Sequence, residues 1–370
     1  MENKLMVAGP TEIEQDILEI GMKKQQYNRT PEFADKLGNI QEKLRYLYKT
    51  ENDVYILSSS GTGAMECAVA NFTNTHEKVL VLSGGTFGDR WAEILSAFEV
   101  PYELISVPIG TNITVDLLEA KYSPDIGAVL ITANETSSGT KIDIKPFGEF
   151  LRDKKSILIV DAVSSLGADE IETDKWGCDV VISSSQKALA LPPGLALISV
   201  SDKAWAVQGK SNHPKYYFDL KKYKLNLSRN QTPFTPPISL LYQLEERLER
   251  IFESGIDAVV SAHESRSIYL RNRLAALGIS VFDQNPSNGV VGFDLGGLFG
   301  AKKMINILRE HYHIEVTPSP PPHDDRIIRV GVFGAVGNAD IDELVAAIEE
   351  VLGPQIGGRK CLDSVTAISA

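Results

Sequence analysis

At 370 residues the chain is long enough to bury a large core, and by size it should divide into two or three lobes. Its 43% apolar and 23% charged residues lie near the average for folded soluble proteins, which argues against a disordered or fibrous chain. The 37 basic and 49 acidic residues give a formal charge of −12 with no basic cluster, so small molecules are expected as partners rather than nucleic acid or an anionic membrane surface.

No apolar run reaches the roughly 18 residues that read as a membrane span. The amino terminus lacks the charged-then-apolar pattern of a secretory signal, and a cytoplasmic protein is expected. Cys67, Cys178 and Cys361 are widely spaced and form no CxxC pair, which removes metal-site and disulfide-framework readings. Cys67 and Cys178 stand in apolar surroundings and are expected in the core, with Cys361 in an exposed tail.

In chain order, Phe33, Leu37, Ile40, Leu44 and Leu47 recur at three- and four-residue steps and predict an amphipathic helix over Pro31–Lys49. Short apolar runs then alternate with helical patterns: Val54–Leu57, Val79–Leu82, Tyr102–Val107, Ala128–Ile131, Ile157–Val160, Val180–Ser183 and Leu195–Val200. Such alternation predicts an α/β fold with a mostly parallel sheet covered by helices on both faces. A segment rich in Pro and polar residues, Ser211–Pro237, interrupts the pattern as an ordered excursion. Helical periodicity resumes over Ile238–Phe252 and Ile256–Leu277, the passage into a smaller α/β lobe. That lobe should hold strands at Ser280–Phe282, Val290–Asp294 and Ile327–Val332, with helices near Ala301–Glu310 and Asn338–Val351. Residues 353–370 lack periodicity and read as a loose tail.

Several residues fall where open α/β sheets build sites, just past strand ends. Asp161 follows one predicted strand and Lys187 another. A pyridoxal enzyme needs a lysine to form an imine and a carboxylate beside the pyridine nitrogen, because a protonated ring is the stronger electron sink. A lysine after a strand is usually a solvated surface group. Lys187, however, lies between Ser183–Gln186 and a long apolar run, where burial would lower its pKa and favour the neutral amine. Asp161 reads equally well as a turn or cap residue.

Ser58-Ser-Ser-Gly-Thr-Gly follows a strand and opens a helix, so its backbone N–H groups suit either a phosphate or a tight turn. Phe87, among glycines after a strand, is either a core ring or one that stacks on a flat cofactor. Asn134-Glu-Thr136-Ser-Ser-Gly139 supplies hydroxyls from a polar loop. Arg329, flanked by apolar residues, would need an anion when buried: a substrate carboxylate or a protein one.

Together the motifs closely resemble the class V aminotransferases, in the branch of alanine–glyoxylate and serine–pyruvate aminotransferases. The most specific pieces are Asp161-Ala-Val-Ser-Ser-Leu-Gly-Ala, Trp176-Gly-Cys-Asp-Val-Val-Ile-Ser-Ser-Ser-Gln-Lys187 and Pro192-Pro-Gly-Leu-Ala. The resemblance implies a fold-type I transferase using pyridoxal 5′-phosphate. It implies a large domain over residues 16–245 with a mostly parallel seven-stranded sheet and a smaller C-terminal α/β domain over 246–352, against which residues 1–15 pack. Lys187 is then the Schiff-base lysine, Asp161 the pyridinium partner and Val163 the packing residue beneath the ring. Ser60, Gly61 and Thr62 match the phosphate site, Phe87 the stacking ring, Thr136 a hydroxyl contact and Gln186 a phosphate or ring contact. Thr232 and Thr235 match positions that reach the cofactor phosphate of a neighbouring subunit, which implies a homodimer with shared sites. Arg329 matches the arginine that holds the substrate carboxylate.

The implied activity is two-stage amino transfer from a small amino acid, alanine or serine type, to a 2-oxo acid such as glyoxylate or pyruvate. Departures occur where substrate contacts are expected: Tyr27-Asn-Arg-Thr and Ala133-Asn134 replace histidine-containing pieces, and Ala8-Gly-Pro replaces Pro-Gly-Pro. The rival activities are a 2-aminoethylphosphonate aminotransferase, a cysteine desulfurase, and a cofactor-binding subunit with little catalysis of its own. The desulfurase would need a mobile-loop thiol, and no cysteine stands between Cys178 and Cys361.

Overall fold

In a computed structural model the chain is described over residues 3–282, 284–297 and 299–366, with side chains as far as Gly353. Seven strands form the main sheet in the order Val54–Ser58, Leu195–Val200, Val180–Ser184, Ile157–Asp161, Ile126–Thr132, Lys78–Ser83 and Tyr102–Ser106. Leu195–Val200 runs antiparallel to both its neighbours and the other six run parallel. The inner strands are apolar throughout because both sheet faces are covered. Successive side chains serve opposite cores: Leu80, Leu82, Leu158 and Val160 enter one, Val79, Val81, Ile157 and Ile159 the other.

The first long helix spans Pro31–Tyr48 and buries the apolar stripe read from the sequence, Phe33, Leu37, Ile40, Leu44 and Leu47. Each such side chain contributes about 1.5–3 kcal/mol of burial. Thr30 accepts the N–H of Phe33 as N-cap, Pro31 takes the first position where no N–H is needed, and Lys49 ends the helix in the left-handed conformation.

The Ser211–Pro237 excursion contains the helix Leu220–Leu227, capped by Asp219, which accepts the N–H of Lys221. Helix Ile238–Ser254 still belongs to the large core through Leu241, Leu244, Leu248 and Ile251. Leu270 and Leu274 join a third core, so the chain passes into the small lobe along helix Ile256–Ala276. There the sheet is antiparallel, in the order Ser280–Val281, Val290–Asp294, Ile327–Gly331 and Thr317–Pro318. Near the amino terminus, Lys4–Leu5 pairs with Ile314–Glu315, and Gly331 donates to the carbonyl of Met6.

One expectation needs correction. The last helix runs Asn338–Thr366, through most of the segment expected as a loose tail, and residues 367–370 lie outside the described residues. Extending an existing helix costs far less than nucleating one, so no apolar stripe is required for it to continue. Cys67 and Cys178 are buried, as their surroundings suggested; the side chain of Cys361 lies outside the described residues.

Candidate active site

A cleft opens at the carboxyl ends of the parallel strands, lined by Ser60, Gly61, Thr62, Phe87, Thr136, Asp161, Val163, Gln186 and Lys187. Met65, Arg90 and Ser164 complete its wall. Nine of the sequence-derived candidates therefore converge on one cavity from five different strand ends.

Lys187 follows the strand Val180–Ser184 in a tight loop. Ser185 pins that loop by accepting from Leu195 N and donating to the carbonyl of Pro192, while Ala190 N donates to Lys187 O at 2.8 Å. The side chain is only 8% exposed. Its Nζ donates to the carbonyl of Ala8, and Gly9 follows at φ +119°, a backbone conformation that favours glycine. Burial first, and the Arg329 guanidinium second, press the Lys187 ammonium down to about 8, with Asp161 opposing.

Asp161 is the last residue of its strand and 4% exposed. One oxygen accepts the N–H of Val163 at 2.9 Å, and among the described residues it has no ion pair. Burial pushes its carboxyl up to about 6, and the nearby charge of Glu135 adds to the rise. Val163 faces Gly61 so closely that a Cβ there would meet Val163 Cγ2 at 2.9 Å. Ser60 caps the helix Gly61–Phe72 by accepting the N–H of Gly63 at 3.3 Å.

The hydroxyl of Thr136 bonds that of Ser164, and Phe87 carries Arg90 over its ring at 4.7 Å. Arg90 also donates to Thr62 Oγ1 at 3.2 Å, which makes it a cavity-lining cation not singled out in the sequence. Gln186 keeps its Oε1 buried without a partner among the described residues.

Arg329, 7% exposed, comes from the small-lobe strand Ile327–Gly331. Its Nη1 donates to Thr136 O at 2.7 Å, while Nε and Nη2 donate to Pro318 O at 3.0 and 2.7 Å. Three of its five N–H groups are thus engaged by carbonyls, and among the described residues none meets a carboxylate within ion-pair distance. Burial lowers it to about 10, with Glu135 opposing.

Arg329 does not itself line the cleft, and two further candidates lie apart from it. Thr232 lines a separate crevice with Tyr55 and Tyr223, its hydroxyl bonded to Phe234 O at 2.7 Å, and Thr235 is exposed. Glu135 was missed in the sequence. It is 1% exposed and accepts from Phe87 N, Gly88 N and both the N–H and hydroxyl of Ser137. Among the described residues no group of three or more His, Cys, Asp or Glu side chains is arranged to hold a metal ion.

The profile of the family described as Aminotransferase class-V matches residues 18–318. The Soluble hydrogenase 42 kDa subunit of Anabaena cylindrica is 35% identical over 361 residues, 95% of this chain and 94% of that protein. The L-aspartate–glyoxylate aminotransferase of Paracoccus denitrificans is 28% identical, over 95% of this chain and 91% of its own length. Among solved structures, alanine–glyoxylate aminotransferase from Nostoc sp. is similar at a TM-score of 0.91 and 27% identity, over 95% of this chain and 96% of that one.

Proposed function

Because this chain belongs to the class V aminotransferases, pyridoxal-phosphate-dependent transaminases of fold type I, we propose that it moves an amino group from a small amino acid of the alanine or serine type to a 2-oxo acid such as glyoxylate or pyruvate.

The residues at the cavity fit pyridoxal 5′-phosphate. Asp161 is a buried carboxylate without an ion pair, a setting that a pyridinium nitrogen would complete. Gln186 Oε1 is a buried acceptor still lacking a donor. The Ser60–Gly61–Thr62 turn starts a 12-residue helix, whose N-terminal N–H groups and dipole favour a phosphate.

When bound, the cofactor supplies an electron sink for the charge left at the substrate's α-carbon. Lys187 would hold the cofactor, and its amine would move the proton at that carbon. An amine held near 8 is neutral often enough to attack and to accept a proton close to neutral pH. Asp161 would keep the ring nitrogen protonated by offering it a buried negative charge. Phe87 and Val163 would supply apolar surface to the ring, and the uncommitted N–H groups of Arg329 would orient the substrate carboxylate.

The observation that carries the substrate class is this buried arginine, close enough to Lys187 to depress its ammonium and without a carboxylate of its own. It fits the α-carboxylate common to amino and 2-oxo acids. The relatives named for glyoxylate support the acceptor.

We also propose a homodimer in which Thr232 and Thr235 serve the phosphate site of a second copy. Tyr217 stacks on Phe234 at 4.9 Å beside the Ser58 carbonyl, and Tyr216 is 74% exposed there, which supports a surface covered by another chain. A cytoplasmic location is supported by two buried, unpaired cysteines. Among the described residues no helix is long and apolar enough to cross a membrane.

The test is spectral. Single amino acids, then single 2-oxo acids, are added to the loaded protein while the cofactor's visible absorption is followed. Alanine or serine should bleach it, and glyoxylate or pyruvate should restore it. Bleaching by 2-aminoethylphosphonate but by neither amino acid overturns the donor assignment. No response to any donor in a panel favours a non-converting cofactor subunit, a reading to which the hydrogenase-subunit names of two relatives give weight.

A further inference from the structure

The hairpin Asn134–Glu135/Thr140–Lys141 is where the two lobes meet over the cavity. Ser319 donates to Ser137 O at 2.6 Å, and Gly292 passes so near that a Cβ there would lie 2.0 Å from Ser138 O. Arg329 donates to the carbonyl of Thr136 in the same turn. These contacts come from the small lobe.

From the large lobe, the Thr136–Ser164 hydroxyl pair and the Glu135 side chain hold the turn. Glu135 Oε2 accepts the N–H of Phe87 at 3.1 Å and of Gly88 at 3.0 Å, the first turn of helix Thr86–Ala97. Its Oε1 accepts the N–H and hydroxyl of Ser137. Gly85 must be glycine for this approach, since a Cβ there would lie 2.5 Å from Ser137 Oγ and 2.9 Å from Glu135 Cδ. A carboxylate buried this deeply persists because its acceptors are filled and because it faces a helix N-terminus. A polar loop alone would need no such arrangement.

We infer that Glu135 is a positioning residue that sets the Phe87 ring and the Arg329 guanidinium together, through the single turn it ties to both. The inference rests on the transaminase reading of the cavity, in which Phe87 faces the cofactor and Arg329 the substrate carboxylate. Glu135 does not line the cavity. It acts by holding the N–H of Phe87 with one oxygen and the turn bearing the Thr136 carbonyl with the other.

Replacing Glu135 by Gln keeps the shape and turns one oxygen into a donor that faces N–H groups, so about half the contacts are lost. Glu135→Ala removes them all. Three quantities are measured on the unsubstituted protein and both variants: the affinity of apoprotein for pyridoxal phosphate, the visible absorption maximum of the bound cofactor, and kcat and KM for the amino donor, beside the thermal midpoint. Losing hydrogen bonds to a charged group should weaken cofactor affinity and raise the donor KM by about tenfold each in Glu135→Ala, with Gln intermediate. The absorption maximum should move in both. If Glu135→Ala does not fold, Glu135→Gln is judged on the same quantities.

A lowered thermal midpoint with affinity, spectrum and KM of the folded protein unchanged would mean a purely structural role and overturns the inference. Failure of the unsubstituted apoprotein to bind pyridoxal phosphate overturns the reading of the cavity itself, a result the Glu135 variants cannot mimic.

Discussion

The inner wall of the cavity and its outer rim are built differently. On the inner wall, Lys187, Asp161 and Thr136 are buried at strand ends, and each has its hydrogen bonds inside the chain. On the rim, Ser60 and Thr62 are exposed at a helix start, and Thr235 stands free of the cavity. The groups that handle protons need a low dielectric and fixed geometry, which one chain's core can supply. Groups that hold a phosphate can be supplied from an exposed edge, and an exposed edge leaves room for another chain. The wall should therefore respond to substitution by loss of chemistry, and the rim by loss of affinity.

The sharpest break of that contrast is Lys187→Ala. With Lys187 as the proposed carrier of the cofactor and of the proton, its loss should lower turnover by about 10³-fold or more at saturating substrate, with residual noncovalent cofactor binding. Wild-type turnover in this variant, or no lysine adduct at 187 after borohydride reduction and peptide mapping, would remove the assignment. Asp161→Asn tests the same wall. Without a charge to keep the ring nitrogen protonated, kcat should fall on the order of 100-fold while the donor KM changes little. A pure KM effect would place Asp161 at the substrate instead.

A pH series on unsubstituted apoprotein probes how buried the wall is. The neutral amine is the nucleophile, and its fraction grows as pH rises through the depressed value of about 8 for Lys187. The rate of covalent capture of pyridoxal phosphate should therefore climb about tenfold between roughly pH 7 and 9, then level. An ordinary exposed lysine would still be climbing near pH 10. Stopped-flow absorbance separates the two, with denaturation of the apoprotein checked at each pH.

Wall and rim also differ in how far the sequence exposes them. The strands before Asp161 and Lys187 are legible because strands buried on both faces are continuous apolar runs, and a charged residue ending such a run stands out. The stripe of Pro31–Tyr48 is legible by its period. Glu135 was not, since its meaning lies in N–H groups 47 and 48 residues away and no local pattern announces them. The carbonyl of Ala8 over Lys187 lies 179 residues away and is a backbone atom that any sequence would supply. The strands Lys4–Leu5, Ile314–Glu315 and Thr317–Pro318 are two residues long, too short for periodicity to register. The continuation of the last helix to Thr366 was hidden for the opposite reason, because propagation leaves no apolar signature.

The smallest expected effect sharpens the contrast most, because it asks which chain owns the rim. Thr235 is exposed and does not line the cavity of its own chain, so in the proposed dimer its hydroxyl matters by reaching a second copy. Thr235→Ala should then weaken cofactor affinity by about fivefold, the value of one modest hydrogen bond, with kcat unchanged at saturating cofactor. Mixing this variant with Lys187→Ala chains makes the ownership visible. In a mixed dimer with shared sites, the one cavity that keeps Lys187 receives its threonine from the Lys187→Ala chain, and its cofactor affinity returns to normal. With sites confined to single chains, the lysine-bearing cavity stays as weak in the mixture as in the variant alone, and the rim would have to be completed from within the chain.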